Sequence, residues 1–233
     1  MVLLHALSGS ALMWEKQLPA LSGCRVVAYD RLGHGRSQLV SGSAGDAVGD
    51  LDALLQHLRI DACHLVGTAA GGMVALDYAL SFPQRVHGLV LANSIGGVQD
   101  EEYLALHRRL RPAPQFNALP PHVRELGPAY RASNPEGEAR WIELEHDSRA
   151  AQPLAAPQPP RNRITFAALE KLNVPTLLLT GDADLYVPEP VLRLFERRLK
   201  KPKLIVLPGV GHSAYWEAAG AFNKALLDFI QQK

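Results

Sequence analysis

Short, unbroken apolar runs recur along the chain, each followed by glycine or polar residues and then by a segment with helical spacing. The runs are Val2 to Leu4, Val26 to Tyr29, His64 to Val66, Leu89 to Ala92, Thr176 to Thr180 and Lys203 to Leu207. Their hydrophobicity is continuous rather than alternating, which predicts strands buried on both faces. Amphipathic stretches at Ala47 to Leu58, Met73 to Ser81 and Val191 to Leu199 supply crossover helices. Strand and helix in alternation predict an α/β fold around a mostly parallel sheet of about six strands. Between Ile95 and Leu172 the rhythm stops, and ten of the 17 prolines fall there, some in pairs such as Pro120-Pro121 and Pro159-Pro160. Helix-like pieces at Glu101 to Leu110 and Gly137 to His146, with several Trp, Tyr and Leu residues, argue against a solvated linker. Residues 95–172 are therefore expected to form a helical lid inserted in a core built from 1–94 and 173–233.

Composition narrows the class of partner. In 233 residues, Lys and Arg total 24 and Asp and Glu 23, a net charge of +1, so no strong field draws nucleic acid or an anionic membrane. No apolar run approaches the roughly 20 residues of a membrane span. Met1 is followed at once by the first apolar run, and no secretory signal is expected. Cys24 and Cys63 have neither metal nor redox spacing and are expected as reduced core thiols of a cytoplasmic protein. The nine histidines are scattered, Gly33-His34-Gly35 lacks the later glycine of a dinucleotide fingerprint, and no phosphate-binding Gly-Lys-Ser/Thr occurs. No metal or cofactor is expected.

The most informative segment is His64-Leu65-Val66-Gly67-Thr68-Ala69-Ala70-Gly71-Gly72-Met73, a strand passing through Gly-x-x-x-Gly into a helix. This is the frame of the nucleophile elbow Gly-x-Ser-x-Gly, in which a sharp turn holds the middle residue above the sheet and the glycines let strand and helix pass closely. The middle residue here is Ala69. Downstream, Thr176 to Thr180 runs into Gly181-Asp182-Ala183-Asp184, and Lys203 to Leu207 runs into Pro208-Gly209-Val210-Gly211-His212. An acid and a histidine thus follow successive strands after the elbow, in the chain order of the α/β-hydrolase triad.

With these features the chain resembles the α/β-hydrolase superfamily, in particular its lidded esterases, lactonases and carbon–carbon-bond hydrolases. Further matches are Leu3-Leu4-His5-Ala6-Leu7-Ser8-Gly9-Ser10, where the family usually has His-Gly, and Asp30-Arg31-Leu32-Gly33-His34-Gly35-Arg36-Ser37. The resemblance implies an α/β-hydrolase fold acting on a small-molecule substrate. It makes Asp184 the acid and His212 the base, places Ala69 in the nucleophile position, and assigns the backbone N–H groups of Leu7 and Ala70 to the oxyanion hole. Asp182 is the less suitable acid by spacing, and His5 and His34 are expected to shape loops. The family's first two strands are absent, so Val26 to Tyr29 is expected as an exposed edge that invites pairing of two chains.

Ala69 has no nucleophilic atom, so a serine-type acyl-enzyme cannot form in this chain. Retention of the acid, the histidine and both elbow glycines fits a Ser→Ala change in a hydrolase for a carboxylic ester, lactone or carbon–carbon bond next to a ketone. It also fits a His212–Asp184 dyad working as general base without a covalent intermediate, and a non-catalytic ligand-binding module stays open. Trp14, Trp141, Tyr103, Tyr130, Phe116 and Trp216 are candidates for pocket lining, as are Arg108, Arg109 and Arg111 for a substrate carboxylate; ordinary lid and core packing for each aromatic residue, and a solvated helix face for the arginines, are the preferred readings.

Overall fold

The computed structural model describes residues 1–37, 45–94, 96–148 and 158–231. Six parallel strands, β1 (Val2–Leu4), β2 (Val27–Ala28), β3 (Cys63–Thr68), β4 (Val86–Ala92), β5 (Thr176–Gly181) and β6 (Pro202–Leu207), lie in the order β2-β1-β3-β4-β5-β6. Each expected run is present, and the class and strand number are as read from the sequence. Successive side chains point to opposite sides, and in the four inner strands nearly all are buried on both faces, with His87 in β4 exposed. Leu65, Leu89, Leu91 and Leu178 join one core cluster, whereas Val66, Val90, Ala92, Leu177 and Leu179 join the other.

The two outer strands depart from the expectation of full burial. Among the residues of β6 only Leu207 is buried, and both residues of β2 are half-buried, because each strand lacks a neighbour on one side. The expected edge is therefore real, but it is only two residues long, where Val26 to Tyr29 was expected.

Helices α1 (Ala47–His57), α2 (Ala70–Ser81) and α8 (Glu189–Arg198) cover one face, and α9 (Ala214–Glu217), which carries Trp216, and α10 (Ala219–Ile230) pack with Trp14 on the other. Asp46 caps α1 by accepting from the Gly49 N–H at 2.6 Å, which satisfies a donor that has no carbonyl within the helix. Between β4 and β5 lie α3 (Glu101–Leu110), α4 (Pro121–Glu125), α5 (Pro128–Ser133), α6 (Pro135–Ser148) and α7 (Phe166–Leu169). Proline begins α4, α5 and α6, where its missing N–H leaves no helical bond unmade, so three of the ten prolines that stopped the strand rhythm are helix starts. The expected boundary at Ile95 and residues 149–157 lie outside the described residues. Asp77 in α2 anchors the far end of the insertion, accepting from the Arg161 and Asn162 N–H groups at 2.7 and 3.0 Å.

The chain leaves β1 for β2 on one side and continues to β3 on the other. That reversal opens a crevice at the carboxyl ends of the strands, where ligands bind in open α/β sheets.

Candidate active site

The crevice holds a cavity of about 540 Å³, a volume suited to a small molecule. Residues just past four strand ends reach its wall: Leu7 after β1, Ala69 and Ala70 after β3, Asn93 after β4, and His212 after β6. The insertion closes the other side with Arg111, Asn117, Arg124, Glu125 and Glu145.

The turn from β3 into α2 is tight. Ala69 sits at φ 47° and ψ −116°, a conformation that L residues avoid, and its N–H is held by the Ala92 carbonyl at 3.0 Å. Ser94 Oγ donates to the Ala69 carbonyl at 2.6 Å. A Cβ on Gly71 would lie 2.2 Å from the Leu4 carbonyl oxygen, and one on Gly67 would lie 2.4 Å from the Gly71 carbonyl oxygen. Both glycines are therefore required by the close passage of β1, β3 and α2. Strain of this kind costs about 1–3 kcal/mol and persists only where its surroundings enforce it. Ala70 is the first residue of α2, so its N–H has no carbonyl behind it within the helix and faces the cavity end of the helix dipole.

His212 is 7% exposed, and its Nδ1 lies 2.9 and 3.0 Å from the two carboxylate oxygens of Asp184. Asp184 also accepts from the N–H groups of Tyr186 and Val187 at 2.8 and 2.9 Å and from Asn93 Nδ2 at 2.9 Å. Burial alone would raise the Asp184 carboxyl, but the His212 charge and these donors outweigh it and hold the group below its ordinary range. For His212, burial pushes down while Asp184 and then Glu125 push up, and the imidazole is lifted to about 9. The Asp184 pair fixes Nδ1–H, leaving Nε2 directed at the cavity side. The His212 loop is tied to the insertion: the His212 and Ser213 N–H groups donate to the Glu125 carbonyl at 2.8 and 3.1 Å, and Glu217 accepts from the Gly127 and Gly211 N–H groups, each at 2.9 Å.

The five residues expected at the site are thus brought together, with Asp184 behind His212 and the other four on the cavity wall. Asp182 accepts from the Gly209 N–H at 2.6 Å and serves a turn. His5 shapes its loop as expected, with Nδ1 donating to the Ala6 carbonyl at 2.7 Å and Nε2 accepting from the Arg31 N–H at 3.0 Å; burial holds it neutral. None of the six aromatic candidates lines the cavity. Trp14, Trp141 and Trp216 fill a core cluster instead, and the aromatic group on the wall is Tyr186, whose ring centroid lies 4.6 Å from that of His212. Of the arginine candidates only Arg111 reaches the wall; Arg108 is exposed and pairs with Glu101. Sequence reading missed Asn93, Arg124, Glu125 and Tyr186. A polar Asn-Ser directly after the apolar β4 was the one signal available for Asn93.

The sequence pattern of the alpha/beta hydrolase family matches residues 1–225. The chain belongs to the alpha/beta hydrolase family. Within it, the chain is 34% identical over 251 residues to the "Putative carbamate hydrolase RutD" of Variovorax paradoxus, covering 98% of this chain and 90% of that protein. It is 30% identical to a 2-hydroxy-6-oxononadienedioate/2-hydroxy-6-oxononatrienedioate hydrolase of Paraburkholderia phymatum, covering 100% and 87%. Among solved alpha/beta hydrolase structures, a thermophilic esterase from Thermogutta terrifontis superposes with a TM-score of 0.81 at 25% identity, covering 99% and 88%. No helix among the described residues is long and apolar enough to cross a membrane, and no group of three or more His, Cys, Asp or Glu residues among them could hold a metal ion.

Proposed function

We propose that the cavity takes a small molecule with an electrophilic carbonyl, as an ester, a lactone or a ketone-activated carbon–carbon bond, and that position 69 is its nucleophile position. The carrying observation is that a residue held at φ 47° at a strand-to-helix turn shares one cavity wall with the imidazole of a buried His–Asp pair. Names among the relatives support the common denominator, since carbamates, esters and oxo-dienedioates all offer a carbonyl carbon.

In this reading Asp184 fixes the tautomer of His212, and the N–H groups of Leu7 and Ala70 take up the charge that develops on the carbonyl oxygen. A serine at 69 would be the nucleophile, activated by His212. With alanine there, the acyl-enzyme route is closed; in subtilisin, losing the nucleophile lowers turnover about 10⁶-fold. The helices between β4 and β5 act as a lid that excludes water. The experiment is Ala69→Ser with p-nitrophenyl butyrate as substrate: hydrolysis should rise at least about 10³-fold over the parent chain. Equal, buffer-level rates in both proteins would overturn the reading.

A second reading, in which His212 and Asp184 serve water attack without a covalent intermediate, is favoured by the carboxylate of Glu125 at 3.9 Å from His212 Nε2. Cytoplasmic residence is part of the same proposal, resting on the two unpaired cysteines. So is pairing of two chains along β2; sedimentation as a single 25.4 kDa species would exclude it.

A further inference from the structure

Glu125 ends α4, and its backbone carbonyl is fixed by the His212 and Ser213 N–H groups, so its side chain is set beside the imidazole. Its carboxylate lines the cavity, and Oε2 lies 3.9 Å from His212 Nε2. Among the described residues no hydrogen-bond donor reaches that carboxylate; the neighbouring Arg124 guanidinium donates to the Tyr186 hydroxyl at 2.9 Å instead. Ala69 ends in a methyl group, so Nε2 receives no partner from the side where the family places its nucleophile. The imidazole is therefore held between two carboxylates, one bonded at Nδ1 and one near Nε2.

We propose that Glu125 is a catalytic carboxylate of this chain: it accepts a proton from the water that attacks the substrate carbonyl, while His212 Nε2–H protonates the leaving group. This deepens the second reading above and rests on the cavity being a carbonyl hydrolase site. The step balances without a further reactant. As the water oxygen bonds to the carbonyl carbon, one water proton passes to Glu125 and the carbonyl electron pair moves onto oxygen, facing the Leu7 and Ala70 N–H groups. When the carbon–oxygen bond to the leaving group breaks, that oxygen takes the Nε2 proton. Glu125 then returns its proton to Nε2, and the products are one acid and one alcohol. Roles are inverted relative to a serine-type route, in which the histidine begins as the base.

Charge around the pair fits this division. Burial and the neighbouring Asp184 and Glu145 raise the Glu125 carboxyl, against the opposing His212 and Arg124 charges, whereas Asp184, Glu125 and Glu217 together keep the imidazole charged at neutral pH. A charged imidazole is a donor, and Glu125, beside Nε2 and on the cavity wall, is placed to act as the base.

The test uses the full chain and phenyl acetate, following phenol release. The parent should exceed buffer, and Glu125→Gln should lower that rate about 100-fold, the ordinary contribution of a general base. The pH profile of the parent should be bell-shaped, rising as Glu125 ionises and falling as His212 loses its proton; Glu125→Gln should lack the rising limb, and Glu125→Asp should restore it in part. Circular dichroism melting establishes that the variants fold. A Glu125→Gln rate equal to the parent, or a flat parent profile, overturns the proposal while leaving the hydrolase reading intact, as does a parent at buffer level when Ala69→Ser is active. If Ala69→Ser is inactive as well, the hydrolase reading itself fails, and this proposal with it.

Discussion

Removing the Glu125 charge should retune His212, and the size of the effect follows from the separation of the two groups. Nε2 and Oε2 are 3.9 Å apart and both side chains are shielded, at 7% and 14% exposure. At an effective dielectric constant near 20, two unit charges about 4 Å apart interact by about 4 kcal/mol. At about 1.4 kcal/mol per pH unit that sets a ceiling of about 3 units on what Glu125 contributes to the basicity of His212. The sign is definite: a nearby anion stabilises the imidazolium, so Glu125→Gln lowers the pKa from about 9. In an Ala69→Ser background, where neutral His212 must take the serine proton, activity is lost as pH falls through that pKa. The acid limb of kcat/KM for p-nitrophenyl butyrate should therefore lie about 1 to 3 units lower in Ala69→Ser/Glu125→Gln than in Ala69→Ser alone. An acid limb at the same pH in both proteins would show that Glu125 does not act on the imidazole, and the electrostatic reasoning would be refuted.

Other parts of the account carry their own tests. Ala69→Gly removes the side chain from a backbone at φ 47° and should raise stability by about 1 kcal/mol, seen as a melting temperature about 2–4 °C higher; an unchanged or lower value would mean that the turn is not strained. Gly71→Ala puts a methyl 2.2 Å from the Leu4 carbonyl oxygen, and urea unfolding should show a loss of about 3 kcal/mol or more; an unchanged midpoint would contradict the close passage. Asp184→Asn in the Ala69→Ser background should lower kcat about 10⁴-fold, as loss of the orienting carboxylate does in serine proteases, while the far-ultraviolet spectrum is retained.

The sheet was legible because its inner strands are sealed on both faces, a condition that writes itself as unbroken Val and Leu runs. β2 was legible as an edge only through the family resemblance, and β6 was legible as a strand but not as an edge with half-buried residues, since exposure on one side depends on which strand lies beside it. Ala69, Asp184 and His212 could be read because chain order and glycine spacing are local properties of the loops after β3, β5 and β6. Glu125 could not. It stands in a short helix started by Pro121 in an insertion without hydrophobic rhythm, and its place beside Nε2 arises from tertiary bonds between its carbonyl and the His212 loop. The aromatic residues stayed ambiguous for a related reason: large rings are as well suited to core as to pocket, and the packing reading preferred for each is where Trp14, Trp141 and Trp216 are found.

The claim on which the rest depends is that position 69 is a nucleophile position served by His212. The most direct measurement is the intact mass of Ala69→Ser after exposure to an alkyl fluorophosphonate, with the parent chain and Ala69→Ser/His212→Ala treated alongside. The account predicts one phosphonyl adduct on the serine of Ala69→Ser, none on the parent and at most slow labelling of the double variant. Full-length Ala69→Ser that stays unlabelled, or a parent chain labelled to the same extent, would contradict it.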